Sequence, residues 1–276
     1  MASPSARKVA ESLLCPVKEL GEAARFIGLK RLSSPILGDG VPDLADRLKV
    51  APTCAVVSSS GVLLKHSYGS EIDGADVVFR FNDAPSGGEF AAVVGTREDI
   101  RIVNHVVGER YLAHLNKTVV HPGTMYLLNR HYSLNPDELS RLRMNYPASF
   151  FTLGDKRRPL NHLAKGLLTQ AFPFRTGSIH HHGGWVTTGF EGISLALTVC
   201  GEVRAYGFPS GPNSESAPFH YHGKWATNGT TANTNPNLLH TTIAAIEKEY
   251  FRRLAINTDI ETSDVAILPG YANFMC

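Results

Sequence analysis

Short apolar runs recur along the chain, each closed by small or polar residues: Cys54-Ala-Val-Val57 before Ser58-Ser-Ser-Gly61, then Val77-Val-Phe-Arg-Phe81, Ile100-Arg-Ile-Val103, Met125-Tyr-Leu-Leu128, Ser149-Phe-Phe151 and Val203-Arg-Ala-Tyr-Gly-Phe208. Runs of this length without alternation suit strands buried on both faces. Helical spacing appears between some of them, with Ile193, Ala196, Leu197 and Cys200 on one face and Leu239, Ile243, Ile246, Tyr250 and Leu254 on another. Alternating strands and helices predict an α/β fold, an open and mostly parallel sheet with helices on both faces. Ligands in such sheets bind beyond the carboxyl ends of the strands, and Ser58 to Gly61, Asn82 and Gly207 stand at such ends.

Two regions depart from this rhythm. Val9, Leu13, Val17, Leu20 and Ala24 follow a loose helical spacing that Pro16 interrupts, so residues 1–50 read as an N-terminal helical arm and 51–276 as a single domain. Residues 209–237 hold two turn-rich stretches, Pro209 to Pro218 and Thr227 to Pro236, around the aromatic segment Phe219-His-Tyr-His-Gly-Lys-Trp225. A loop of that length with His and aromatic content predicts a lid.

Composition narrows the class. The 276 residues are 43% hydrophobic and 19% charged, ample for a buried core and incompatible with a disordered chain. Lys plus Arg is 27 against 25 for Asp plus Glu, so a net charge of +2 excludes the global basic field of a nucleic-acid binder, and any anion is bound locally. No apolar run approaches the roughly 18 residues of a membrane span, and residues 1–30 carry no signal-peptide core, so the chain as written reads as a soluble globular protein. The cysteines at 15, 54, 200 and 276 lack zinc-ribbon spacing; Cys15 and Cys276 read as bystanders near the termini. Adjacent His180, His181 and His182 do not converge as ligands unaided, and no metal site is expected.

Taken alone, Ser58-Ser-Ser-Gly61 after a strand suits an ordinary turn as well as a phosphate loop. Its continuation changes that. Cys54-Ala-Val-Val-Ser-Ser-Ser-Gly61, Tyr68-Gly-Ser-Glu-Ile-Asp73 and Asp76-Val-Val-Phe-Arg-Phe-Asn-Asp-Ala-Pro85 closely resemble the large sialylmotif of eukaryotic-type sialyltransferases. Thr187-Thr-Gly-Phe-Glu-Gly-Ile-Ser-Leu-Ala-Leu-Thr-Val-Cys200, with Glu202 to Phe208, resembles the small sialylmotif. His220-Tyr221 resembles the short His-Tyr motif, and His240 with its acidic helix the final His motif, all in the family's order over about residues 53–250.

The resemblance implies a variant GT-A-like, Rossmann-like glycosyltransferase domain that transfers sialic acid, with inversion and without a metal or other cofactor, from CMP-sialic acid to a hydroxyl of a glycan acceptor. That acceptor would sit on a glycoprotein, a glycolipid or an oligosaccharide. A donor such as CMP-Kdo and a non-catalytic nucleotide- or glycan-binding homologue are the alternatives. The family's donor-binding roles fall on Ser60, Gly61, Asn82, Thr187, Thr188, Gly189 and Gly207, with Trp185 as an aromatic neighbour of the donor. At position 59 the family usually has Asn, whereas this chain has Ser59, whose shorter hydroxyl loses a direct nucleotide contact or bridges it by water. His240 corresponds to the base that takes the acceptor's proton, and His220 to the ligand of the donor phosphate. Both tasks suit imidazoles near neutrality.

Several residues keep a structural reading beside the functional one. Asn82-Asp83 before Pro85 also makes a turn, and Thr187 also makes an N-cap. Arg80, opposite in direction to Phe79 and Phe81, is expected to pair with Asp73 or Asp76, with phosphate binding as the second reading. Glu247 lies seven residues after His240. On one helix that is about 10.5 Å, too far to orient the base, so Thr241, Thr242 or a backbone carbonyl takes that role instead. The family also pairs the cysteines matching Cys54 and Cys200, which implies an oxidising compartment, the Golgi lumen, with its usual membrane anchor absent or removed, a secreted or soluble protein being the alternative.

Overall fold

The computed structural model describes residues 4–17, 51–113, 121, 123–129, 150–153, 159–173, 186–208, 217–223 and 238–274, with a few isolated residues between 137 and 145. Among the described residues seven strands form one sheet: β1 (Ala51–Val57), β2 (Val77–Phe81), β3 (Ile100–Asn104), β4 (Met125–Asn129), β5 (Phe150–Leu153), β6 (Cys200–Tyr206) and β7 (Val265–Pro269). Their order is β5-β4-β3-β2-β1-β6-β7. All neighbours run parallel except β7, which pairs antiparallel with β6. The six predicted runs are therefore the six parallel strands. The seventh, Val265-Ala-Ile-Leu-Pro269, is an apolar run of the same kind that the sequence reading did not include.

The order of the strands reverses between β1 and β6. The chain leaves β1 towards β2 on one side, while β6 lies on the other, so the loops beyond these two neighbours diverge and leave a crevice at their carboxyl ends. Ser58 continues the pairing there, its amide donating to the Tyr206 carbonyl at 3.0 Å.

Alternate residues of the strands feed two cores. Cys54, Val56, Phe79, Phe81, Ile100, Ile102, Met125 and Leu127 point to the larger one. Helices α1 (Pro4–Leu14), α5 (Pro159–Ala171), α6 (Thr188–Val199) and α7 (Leu238–Leu254) supply its other wall. Ala55, Val57, Val78 and Tyr206 point the other way, against a short 3-10 turn (Gly61–Lys65), two brief helices, α2 (Gly69–Asp73) and α3 (Ala91–Val94), and the segment at Ala217 and Tyr221. Helix α4 (His105–Ala113) packs on β3 and β4. The predicted break at Pro16 is present: α1 ends at Leu14 and a 3-10 turn occupies Cys15–Val17.

Cys54 and Cys200 form a disulfide with a Cα separation of 6.0 Å, as the resemblance implied. Cys200 caps α6 and begins β6, so the bridge ties the first strand to the junction between that helix and its strand. Cys15 is also disulfide-bonded, which corrects its reading as a bystander. Arg80 is a second correction. It points away from Phe79 and Phe81, but donates to the carbonyls of Arg97 at 2.9 Å and Val94 at 2.6 Å rather than to a carboxylate. Asp73 instead accepts from Thr96 and from the Arg97 amide, and Asp76 accepts from Thr53. Local donors already engage these carboxylates, and the buried arginine instead binds the carbonyls at the end of α3 and in the loop before β3.

Candidate active site

Ser58-Ser-Ser-Gly61 turns sharply out of β1. The Ser60 amide donates to Ser58 Oγ at 3.1 Å, and Ser60 caps the 3-10 turn that follows by accepting from the Val62 amide at 3.4 Å. Gly61 has no room for a Cβ, because the Pro218 carbonyl lies against it. That contact brings the His-Tyr segment onto the loop. His220 pairs with Ser60 in a single antiparallel bridge, the Tyr221 amide donates to the Ser59 carbonyl at 3.0 Å, and Ser59 Oγ lies 2.9 Å from His220 Nδ1. The loop and His220, about 160 residues apart in sequence, share one wall.

Asn82 ends β2 with φ of 51°, the only non-glycine residue with positive φ among the described residues. Asn tolerates this left-handed conformation better than most side chains. Its Oδ1 accepts from the Asn104 amide at 3.0 Å, which fixes the amide's orientation and leaves Nδ2 with no partner among the described residues. The turn is held from below by Arg101, whose guanidinium donates to the carbonyls of Asn82 at 2.7 Å and Ala84 at 2.9 Å and pairs with buried Glu98. Arg101 and Glu98 were not identified in the sequence. The signal was an arginine inside an otherwise apolar strand, Ile100-Arg-Ile-Val103.

The opposite wall is the N-terminus of α6. Thr187 caps it, accepting from the Phe190 amide at 3.1 Å. Glu247 of α7 reaches the same residue: Oε1 accepts from the Thr187 amide at 2.8 Å and Oε2 from its hydroxyl at 2.7 Å. Glu247 thus occupies both donors of Thr187, while the Thr187 hydroxyl accepts in the cap. The amides of Thr188 and Gly189, in the first turn, have no intrahelical acceptor and remain open to an anion. Glu247 is 4% exposed; burial pushes its carboxyl up to about 7, against the two hydrogen bonds from Thr187 that favour the charged form. Glu247 therefore has a partner 60 residues away on another helix.

Side-chain contacts close the crevice between these walls. Gly207, with φ of 74°, lets β6 end against Ser58 and Leu63. Phe208 then packs over Gly189 and, ring to ring at 6.0 Å, beside Phe81, the residue before Asn82. Tyr221 donates to the Pro85 carbonyl at 2.6 Å, fastening the His-Tyr segment to the far end of the Asn82 turn. The predicted residues Ser59, Ser60, Gly61, Asn82, Thr187, Thr188, Gly189, Gly207 and His220 thus lie on adjoining loops and one helix N-terminus near the carboxyl ends of β1, β2 and β6. His240 lies in the first turn of α7, two turns before the Glu247 anchor; its side chain lies outside the described residues. So do Trp185, His180 to His182, most of the predicted lid and the arm from residue 18 to 50.

His220 is half-buried. Burial, and then the neighbouring His222 stacked at 5.5 Å between ring centroids, lower its pKa below the ordinary value. The neutral ring is favoured, with one nitrogen to donate and one to accept. His222 is a site neighbour that the sequence reading passed over.

The family model of glycosyltransferase family 29 (sialyltransferase) matches residues 42–257. The chain belongs to this family. Within glycosyltransferase family 29, a human alpha-N-acetyl-neuraminyl-2,3-beta-galactosyl-1,3-N-acetyl-galactosaminide alpha-2,6-sialyltransferase is 31% identical over 62% of this chain and 60% of its own length. Beta-galactoside alpha-2,6-sialyltransferase 2 of Danio rerio is 29% identical over 81% of this chain and 44% of its own. Sialyltransferase-like protein 5 of Oryza sativa subsp. japonica is 32% identical over 58% of this chain and 28% of its own. The chain spans less than two thirds of the length of each. The crystal structure of a mammalian sialyltransferase in complex with Gal-beta-1-3GalNAc-ortho-nitrophenol matches with a TM-score of 0.42 at 19% identity, over 90% of this chain and 85% of that one.

Proposed function

We propose that this family 29 chain transfers sialic acid, with inversion, from CMP-sialic acid to a hydroxyl of a glycan acceptor. The observation that supports the reading is the adjacency of Ser59 to Gly61, Asn82, Thr188, Gly189, Gly207 and His220 at the carboxyl ends of the strands, with α7, the helix of His240, tied to the start of α6 through Glu247. The open amides of Thr188 and Gly189 receive the donor's carboxylate or phosphate at the positive end of α6. Nδ2 of Asn82 donates to ribose or phosphate oxygens. The acceptor oxygen attacks the anomeric carbon, its proton passes to His240, the bond from that carbon to the phosphate oxygen breaks, and CMP departs. His220 donates to the phosphate as its charge grows. No metal or other cofactor is assigned to this step.

The acceptor is a glycan on a glycoprotein, a glycolipid or an oligosaccharide. The Cys54–Cys200 bridge supports an oxidising compartment, for which the Golgi lumen is our assignment. Among the described residues no helix is long and apolar enough to cross a membrane.

Incubation with CMP-sialic acid and CMP-Kdo over an acceptor panel, following CMP release and product mass, tests the reading. A new sialoside is expected. Transfer from CMP-Kdo alone reassigns the donor, and CMP binding without any transfer supports the non-catalytic alternative. His240→Ala is expected to lower turnover by about two to four orders of magnitude with CMP affinity nearly unchanged; full turnover in that variant refutes the base assignment.

A further inference from the structure

We propose that Ser59 is a positioning residue for His220: its hydroxyl on Nδ1 holds the imidazole so that Nε2 presents a proton to the donor phosphate whether the ring is neutral or charged. This rests on the nucleotide reading of the cleft given above.

The geometry is local and specific. Ser59 Oγ is 2.9 Å from Nδ1, and the backbone carbonyls of Ser59 and Phe219 also reach the ring, favouring a protonated nitrogen. A hydroxyl is both donor and acceptor and rotates freely between the two roles. Against a neutral ring it donates to Nδ1, which keeps the proton on Nε2. Against an imidazolium it accepts from Nδ1–H, and Nε2 is again a donor. A phosphate oxygen only accepts, so a neutral ring protonated on Nδ1 would meet it lone pair to lone pair. The Ser59 and Phe219 carbonyls compete for a ring N–H, so the hydroxyl must outweigh them, and the remaining groups around the ring do not replace its function. His222 stacks flat on it at 5.5 Å, Phe219 lies at 4.4 Å, and Asp83, whose charge reaches the ring, is engaged by Arg110 at 2.8 Å.

The test reads the ring directly. In isotope-labelled protein, long-range proton–nitrogen correlation NMR distinguishes the tautomers, and His220→Asn identifies the signals. Above the ring's titration the wild-type protein is expected to show the Nε2–H tautomer alone, Ser59→Ala a mixture of both, and Ser59→Thr the single tautomer again. In turnover, KM for the CMP-sugar is expected to rise about five- to tenfold in Ser59→Ala at that pH, less below the titration, with kcat little changed. An Nδ1–H ring in the wild type, bonded to the Ser59 carbonyl, overturns the proposal, as does an unaltered ring in Ser59→Ala. Addition of CMP forms a separate arm. A correct tautomer whose Nε2 signal ignores CMP refutes the nucleotide reading and leaves the Ser59 contact standing.

Discussion

One face of the sheet is sealed by long helices whose side chains interlock, with Phe190 of α6 ring to ring with Tyr250 at 5.3 Å and Phe251 at 5.7 Å. The other face is covered by single turns and loops fastened at points: Arg101 on the Asn82 turn, Tyr221 on Pro85, Ser59 on His220, and His66 on Asp264 at 2.8 Å. The first kind of cover draws its stability from apolar area, which is insensitive to small displacements of any one atom. The second draws it from individually modest hydrogen bonds that fix direction. Each face contributes one of the two assigned histidines, His240 from a packed helix and His220 from a pinned loop. On the proposed roles, the base rides on the helix-packed element and the phosphate ligand sits among the pins.

Substitutions on the two faces should separate these forces. Phe190→Ala, in the helix-covered core, is expected to cost about 3 to 5 kcal/mol in chemical denaturation; a loss below 1 kcal/mol would contradict the ascription of that face to apolar packing. Glu247→Gln probes the join between α6 and α7. The folded carboxyl titrates at about 7 against an ordinary 4.5. Between those values the folded state holds the proton more tightly than the unfolded state, so this group's contribution is fully present below pH 4.5 and fades as pH rises through 7. Its slope reaches at most about 1.4 kcal/mol per pH unit. The glutamine variant should lose that part of the dependence, measured as denaturation midpoints across the range. Tyr221→Phe removes one pin and is expected to cost about 1 kcal/mol. Its larger signature should be in donor KM, because the His220 segment loses its fastening to the Asn82 turn; equal KM in the two proteins would show that the pins do not set the site.

The six parallel strands were readable because burial on both faces leaves uninterrupted apolar runs, and the family because the sialylmotif resemblance carried it. What escaped reading has a common cause. Sequence spacing measures separation along one element, so it excluded Glu247 from His240's neighbourhood yet could not name Thr187, which approaches from another helix. Arg80 was assigned to the carboxylates nearest in sequence, whereas Asp73 and Asp76 were already engaged by Thr96, Arg97 and Thr53. The contact of Ser59 with His220 likewise depends on how a remote segment folds back. Strand β7 was legible and passed over.

Among the described strands β1 comes first in the chain yet lies inside the sheet, and one of its two edges is matched by β6. The cysteines that join them are 146 residues apart. While the ribosome adds the intervening chain, that apolar edge has no native partner, and unpaired edges of this kind recruit other strands. Nascent copies therefore pass through an aggregation-prone interval before the middle of the sheet can close, and their yield should depend on chaperone supply and on timely oxidation more than the finished protein's stability would suggest.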